Sequence, residues 1–76
     1  MSVFPNPATT RLYIENTSCH GAVKLVEIYG RAGDKIFETL TDHDMTIVNV
    51  GNYPAGLYLV KVKSEGLIWV RKFFKE

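Results

Sequence analysis

The residue types that could do chemistry in this chain are few, and two of them stand side by side. Cys19 and His20 are adjacent, so a thiol nucleophile and its base are the first chemistry to consider. Neighbouring side chains on a strand or loop tend to point apart, however, and no acid that would orient the histidine is evident in the sequence. We interpret both as loop residues without a catalytic role.

A second polar stretch places His43 between Asp42 and Asp44, which suggests a metal site at first sight. Metal sites gather their ligands from several elements at defined offsets, whereas these three are consecutive and have no second cluster. A solvated turn explains them better. The glycines at 30 and 33 are too close together for a phosphate-binding loop, and no helix pattern follows them. The sequence therefore predicts no enzyme, no cofactor and no metal site.

Aromatic side chains offer the remaining candidate for ligand binding, because flat rings stack on sugar faces. Single aromatic residues in a small β domain mostly pack in the core or at an edge. Trp69 fits that pattern, while Tyr13 and Tyr53 are the aromatics we expect to be most exposed. Their spacing does not require a sugar-binding ladder.

Composition restricts the class of protein. Seventy-six residues make one domain, and 46% hydrophobic residues are enough for a core. The net charge of +1 gives no reason to expect nucleic acid or an anionic membrane as partner. A single cysteine excludes an internal disulfide. Residues 61–76 contain five basic and two acidic residues, a net charge of +3. That balance fits either solubilising charge on an edge hairpin or a docking patch.

The sequence predicts that short β-strands position these residues. Alternating apolar and polar residues predict strands over 11–15, 22–29, 35–40, 45–50, 56–63 and 67–76, after a short extended piece at 3–4. Six or seven short strands with a turn between each pair predict an all-β fold, a small Ig-like β-sandwich of two antiparallel sheets. The predicted core is Leu12, Ile14, Val26, Ile28, Ile36, Val48, Val50, Tyr58, Val60 and Val62.

The two last predicted strands form a closing hairpin after a turn at Pro54 and Gly56. Gly56 follows a proline and starts a strand, so we expect it to adopt a φ that a residue with a Cβ would resist. The final strand carries apolar side chains on both faces and therefore needs cover on both. Either another part of the chain covers it or a partner does.

Four segments in order resemble the C-terminal secretion domains of the bacterial type IX system, the Por secretion tail family. They are Val-Phe-Pro-Asn-Pro-Ala-Thr at 3–9, Val-Glu-Ile-Tyr at 26–29 followed by Gly33, Val-Asn-Val at 48–50 continuing into Pro-Ala-Gly-Leu-Tyr-Leu-Val-Lys-Val at 54–62, and Lys-Phe-Phe-Lys at 72–75. The residues that carry the structural motif are Pro5, Asn6, Pro7, Gly33, Pro54, Gly56 and Tyr58.

The resemblance implies a non-catalytic sorting signal on a secreted or cell-surface protein of Bacteroidetes-type bacteria. Its partners would be an upstream cargo domain in the same polypeptide, the outer-membrane translocon and a sortase-like peptidase. The parent's own signal peptide would take it to the periplasm. We hypothesise that the translocon recognises the end of the hairpin by strand addition or by seating phenylalanines in a groove; an alternative is that these phenylalanines only close the sandwich. The residues concerned are Arg71, Lys72, Phe73, Phe74 and Lys75.

We expect residues 3–76 to be a single domain excised from a larger secreted protein, with Met1 and Ser2 foreign to it. An exposed edge hairpin also allows self-association between copies. Two other functions stay open at this point. One is a fibronectin-like or carbohydrate-binding accessory module of a secreted enzyme, and the other is a passive spacer.

Overall fold

The described part of the domain consists of seven strands and the turns and loops that join them. The computed structural model describes residues 1–18 and 20–76, and no helix occurs within them. The strands are β1 (Ser2–Phe4), β2 (Arg11–Glu15), β3 (Lys24–Tyr29), β4 (Lys35–Thr41), β5 (Met45–Asn49), β6 (Gly56–Ser64) and β7 (Leu67–Lys75). Each predicted strand is present within two residues of its expected ends, so short apolar segments separated by turns were enough to locate the strands.

The strands form two antiparallel sheets that pack face to face, which confirms the predicted all-β sandwich. One sheet has three strands in the order β1-β2-β5, and the other has four in the order β4-β3-β6-β7. β6 lies in the middle of the larger sheet, between β3 and β7. The closing hairpin therefore supplies half of that sheet, including one of its edges.

The core lies between the sheets and uses alternate residues of each strand. All predicted core residues except one are buried, from Leu12 on β2 to Val62 on β6. Two further residues belong to the core: Phe73 from β7 and Ala8 from the loop before β2, both fully inaccessible to solvent.

Ile36 is the predicted core residue that the structure places outside, with 39% of its surface exposed. The cause is the phase that pairing with β3 gives to β4, since Phe37 lies opposite the buried Ile28 and Ile36 therefore faces outward, as Leu40 does. A β-bulge is present at the same place, because the next residue of β3, Tyr29, pairs with Lys35. Ile36 is the extra residue of the bulge, and Phe37 takes the inward position and packs against the core. Pairing with β3 decides which face of β4 is buried, so alternation within β4 alone could not reveal it.

The expectation that Tyr13 and Tyr53 are the exposed aromatics is also wrong, because both are half-buried. Tyr13 stacks on Phe4 of the neighbouring strand, with ring centroids 5.5 Å apart. Tyr53 packs against the core beside Tyr58. Both rings gain more from an aromatic neighbour than from open solvent.

Candidate docking surface

The closing hairpin is held in register by a tight turn. Glu65 and Gly66 join β6 to β7, and both have positive φ, 55° and 77°. Positive φ at both central residues is what a type I′ turn requires, and the twist of that turn matches the twist of paired strands. The register that follows places Tyr58 directly opposite Phe73.

Three aromatic rings stack at the base of the hairpin. The Tyr58 ring lies 5.2 Å from Phe73 and 5.5 Å from Tyr53, centroid to centroid. The Tyr58 hydroxyl donates a hydrogen bond to the carbonyl oxygen of Pro54. Burial raises the pKa of Tyr58 above its ordinary value of 10.0, and the negative charge of Asp34 raises that pKa further. The stack therefore stays neutral at physiological pH and fixes the start of β6 against the end of β7.

Residues 71–75, the predicted recognition segment, are divided between the core and the surface. Phe73 is fully buried, and Lys75 is nearly so, with its Nζ donating to the carbonyl oxygen of Glu76 at 2.9 Å. Arg71, Lys72 and Phe74 are exposed, and Phe74 leaves half of its surface in solvent. One phenylalanine thus closes the sandwich and the other faces outward. Recognition by a translocon stays a prediction, and it now concerns the three exposed residues.

The outer face of the four-stranded sheet carries apolar side chains in solvent. On the inner side of β7 only Phe73 and Lys75 are buried, whereas the residues of its outer face are all exposed. Exposed apolar residues lie on β4, β6 and β7: Ile36, Leu40, Leu57, Leu59, Ile68, Val70 and Phe74. Several exposed apolar side chains on one face of a small domain indicate an interaction site.

An ion cluster occupies the centre of this face. Glu27 of β3 lies 3.4 Å from the Nζ of Lys35 and 3.5 Å from the Nζ of Lys63, and Lys35 also contacts Glu38 at 3.0 Å. Burial raises the pKa of Glu27, but a hydrogen bond from Tyr29 and the charges of the two lysines outweigh it, so that the pKa lies below 4.5. The positive charges of these two lysines are therefore balanced by carboxylates of the same sheet.

The edge of β7 is partly occupied by the N-terminal corner. Asn6 accepts the backbone N–H of Phe74 through Oδ1 at 2.9 Å, and the backbone N–H of Ala8 donates to the carbonyl oxygen of Phe74 at 2.8 Å. Backbone groups alternate in direction along a strand, so those of Val70 also point toward this edge. There, Arg71 donates from Nη1 to the carbonyl oxygen of Val70 at 2.9 Å. The corner thus covers the end of the edge and leaves the middle open.

Comparison with known proteins identifies the kind of domain that carries this surface. The family profile of the secretion system C-terminal sorting domain matches residues 2–76. The chain belongs to this family. It is a type IX secretion C-terminal sorting domain, which confirms the resemblance found in the sequence, and such sorting domains are in general not catalytic. No curated protein matches the chain.

The motif residues of the sorting domain have clear structural positions. Pro5, Asn6 and Pro7 form the corner that reaches β7, an interaction between residues 68 positions apart that sequence reasoning missed. Gly33 turns the chain between β3 and β4 with φ of 88°. Gly56 has φ of 145°, which confirms the expected conformation. Pro54 accepts the Tyr58 hydroxyl, as described above.

A polar cluster in the loops of the sorting domain was also missed. Nδ1 of His20 lies 2.5 Å from Oδ2 of Asp44, so the acid that the sequence did not reveal comes from 24 residues away. Lys24 is almost fully buried and donates from Nζ to the carbonyl oxygen of Ala22 at 3.1 Å and to Asp44 at 3.4 Å. Hydrogen bonding from His20 lowers the pKa of Asp44. Cys19, the proposed loop neighbour, lies outside the described residues.

In the second stretch considered for a metal, Asp42 and His43 are exposed and Asp44 is half-buried. Nε2 of His43 lies 3.6 Å from Asp42, and the described residues contain no group of three or more side chains that could hold a metal ion. A cleft of about 530 Å³ opens elsewhere in the sorting domain, lined by Pro5, Thr9, Thr10, Arg11, Tyr13 and Asn49. No helix long and apolar enough to cross a membrane occurs in residues 1–18 and 20–76.

Proposed function

We propose that this sorting domain directs an upstream cargo, part of the same polypeptide, through the outer-membrane type IX translocon for secretion or cell-surface attachment. Family membership supports the sorting role. In this proposal the parent protein reaches the periplasm with its own signal peptide, and a sortase-like peptidase separates the cargo from the domain. The domain itself catalyses nothing.

The observation that carries the proposal is the division of the hairpin into a buried half and an exposed half. Phe73 and Tyr58 hold β7 in place from inside, while Lys72 and Phe74 lie in solvent on the outer face and Arg71 lies in solvent on the other side of the strand. Neither Arg71 nor Lys72 forms an ion pair with any described residue. This combination of exposed cations and an exposed aromatic side chain is present whatever the fold of the cargo, so an export machine can recognise it on different cargoes.

A reporter fusion tests the sorting role. A periplasmic reporter is fused upstream of the domain and expressed in a bacterium with a type IX system and in the same strain without its translocon. We expect the reporter outside the cell only when both the domain and the translocon are present. Export that does not depend on the domain would support a passive spacer instead.

A carbohydrate-binding module is the second candidate, and the cleft beside Tyr13 is the observation that favours it. The cleft offers the guanidinium of Arg11 and the hydroxyls of Thr9 and Thr10 next to an aromatic ring. Affinity electrophoresis in gels that contain soluble polysaccharides distinguishes the two functions. The sorting proposal predicts no retardation, and retardation that is lost on Tyr13→Ala would favour the module.

A further inference from the structure

The edge of β7 is the best place in this domain for an added strand. The other edges are short or interrupted, since β1 has three residues, β5 has five, and β4 contains the bulge at Ile36. β7 has nine residues, and the N-terminal corner reaches only its end at Phe74. Residues 67–72 therefore present a regular edge of the kind that pairs with another strand.

The chain itself shows that this edge accepts a partner. Ala8 forms a parallel bridge with Lys75, and its backbone exchanges hydrogen bonds with Phe74 and Glu76 at 2.8 and 2.9 Å. By alternation, the backbone groups of Ile68, Val70 and Lys72 continue the same row. An extended segment beside residues 67–72 would thus prolong pairing that already exists.

Arg71 determines the charge of the segment that fits. Its guanidinium donates a hydrogen bond to the carbonyl oxygen of Val70. The backbone N–H of an added strand must replace the guanidinium as the donor to that oxygen. Displacement frees a guanidinium that has no acidic neighbour among the described residues, and Lys72 beside it is in the same position. Charge-assisted bonds to carboxylates are the strongest replacement for the bond that is lost.

We propose that residues 67–72 of β7 bind an extended acidic segment of a protein partner as an added strand, with apolar residues alternating with Asp or Glu. Its apolar side chains cover Ile68 and Val70 on the outer face, and its carboxylates, on the opposite face, pair with Arg71. Lys72 lies on the outer face and adds a second positive charge beside the added strand. The identification of this partner with a component of the export machinery rests on the proposed function. The binding mode does not.

A second copy of the chain is a less suitable occupant. Each copy carries the adjacent cations Arg71 and Lys72 on β7, so pairing two β7 edges brings like charges together. Repulsion of like charges at a shared edge opposes this dimer, and an acidic strand removes the repulsion.

Binding of a synthetic peptide tests the inference. The probe is a short peptide with blocked ends in which valine alternates with aspartate or glutamate, titrated into the ¹⁵N-labelled domain. We expect amide shift changes confined to residues 67–72 and slower exchange at the amides of Ile68, Val70 and Lys72. Affinity should fall roughly tenfold in the Arg71→Gln/Lys72→Gln variant, and it should fall with added salt.

Two controls separate strand addition from simple charge attraction. The same peptide with alternate backbone nitrogens methylated keeps its carboxylates but cannot pair, so it should not bind. Val70→Pro removes an edge N–H that β6 does not use, and it should abolish binding while the core amides keep their shifts. Equal binding of the methylated peptide, shift changes on other strands, or no binding at all would overturn the inference. Concentration-dependent shifts at residues 67–72 without peptide would also overturn it, in favour of a second copy.

The export assay with the fused reporter shows whether a failure concerns this inference or the proposed function. If the unaltered domain exports the reporter and Val70→Pro does so equally well, the sorting function stands and the role of the β7 edge in sorting falls. If the unaltered domain exports nothing, the sorting function falls, and the peptide titration still decides whether the edge binds acidic strands.

Discussion

At the scale of single residues, Tyr58 links the motif of the family to the stability of the fold. Its ring packs between Tyr53 and Phe73, and its hydroxyl satisfies the carbonyl oxygen of Pro54. The residue therefore joins the turn before β6 to the strand that presents the docking surface.

Tyr58→Phe removes that hydroxyl and leaves the Pro54 carbonyl without its donor. We expect the free energy of unfolding to fall by about 1 kcal/mol. Urea denaturation measures it. Tyr53→Phe is the matched control, because Tyr53 belongs to the same stack but its hydroxyl makes no hydrogen bond within the described residues. An equal loss in both variants would show that the bond to Pro54 does not matter.

Gly56 owes its role to the backbone. Its φ of 145° is rare for residues with a Cβ, although an added Cβ would meet no heavy atom within 4 Å. Gly56→Ala should therefore cost about 1–2 kcal/mol through backbone strain alone. Gly51→Ala is the comparison, because Gly51 does not have positive φ and its added Cβ meets chiefly the Asn49 side chain. Melting temperatures of the two variants decide, and no loss in Gly56→Ala would contradict the explanation.

The sequence was informative about these residues because their constraints are local. A glycine after a proline turn and a tyrosine four residues from a proline can be recognised within one window. Phe73 and Phe74 could not be told apart in this way, since either phase of β7 was apolar. Only the pairing with β6 decides which of the two faces the core.

At the scale of elements, the corner between β1 and β2 acts as a clamp on β7. Asn6 is exposed, yet its side chain holds the backbone of Phe74. The strands themselves were predictable, but this clamp was not, because it joins the two ends of the chain. The outward position of Ile36 was missed because it depends on the pairing of β3 with β4.

Asn6→Ala should release the end of β7 from the corner. We expect a loss of about 1 kcal/mol in the free energy of unfolding and faster hydrogen exchange at the Phe74 amide. Asn52→Ala, at an exposed asparagine of another loop, should change neither quantity. Unchanged exchange at Phe74 in the Asn6 variant would show that the corner does not hold the strand.

The ion cluster on β3 and β4 predicts a pH dependence. The folded-state pKa of Glu27 lies below its ordinary value of 4.5, so this carboxylate stabilises the fold above that pH, and the contribution is lost as the pH falls through the folded pKa. Glu27→Gln should lower the melting temperature at pH 7 and reduce the further drop in acid. Part of the loss of stability in acid should remain in this variant, because the pKa of Asp44 is also lowered in the folded state.

Thermal melts across this pH range check the prediction, with the exposed Glu76→Gln as control. The control should follow the unaltered domain at every pH. If Glu27→Gln shows the same acid drop as the control, the cluster does not contribute to stability in the manner described.

At the scale of the whole molecule, one hairpin serves both folding and recognition. The inner face of β6 and β7 completes the core, and the outer face and edge carry the exposed apolar and basic residues. Removing residues 71–76 would therefore be uninformative, because it takes away the buried Phe73 together with the surface. Substitutions confined to exposed side chains separate the two roles.

The measurement that tests this account most directly is export of a fused reporter by the Arg71→Gln/Lys72→Gln/Phe74→Ser variant. Its control is Arg11→Gln/Arg31→Gln/Ile47→Ser, which removes two exposed cations and one exposed apolar side chain elsewhere on the domain. The account predicts that both variants melt like the unaltered domain, that the control is exported normally, and that the β7 variant is retained in the cell. Normal export of the folded β7 variant would contradict it.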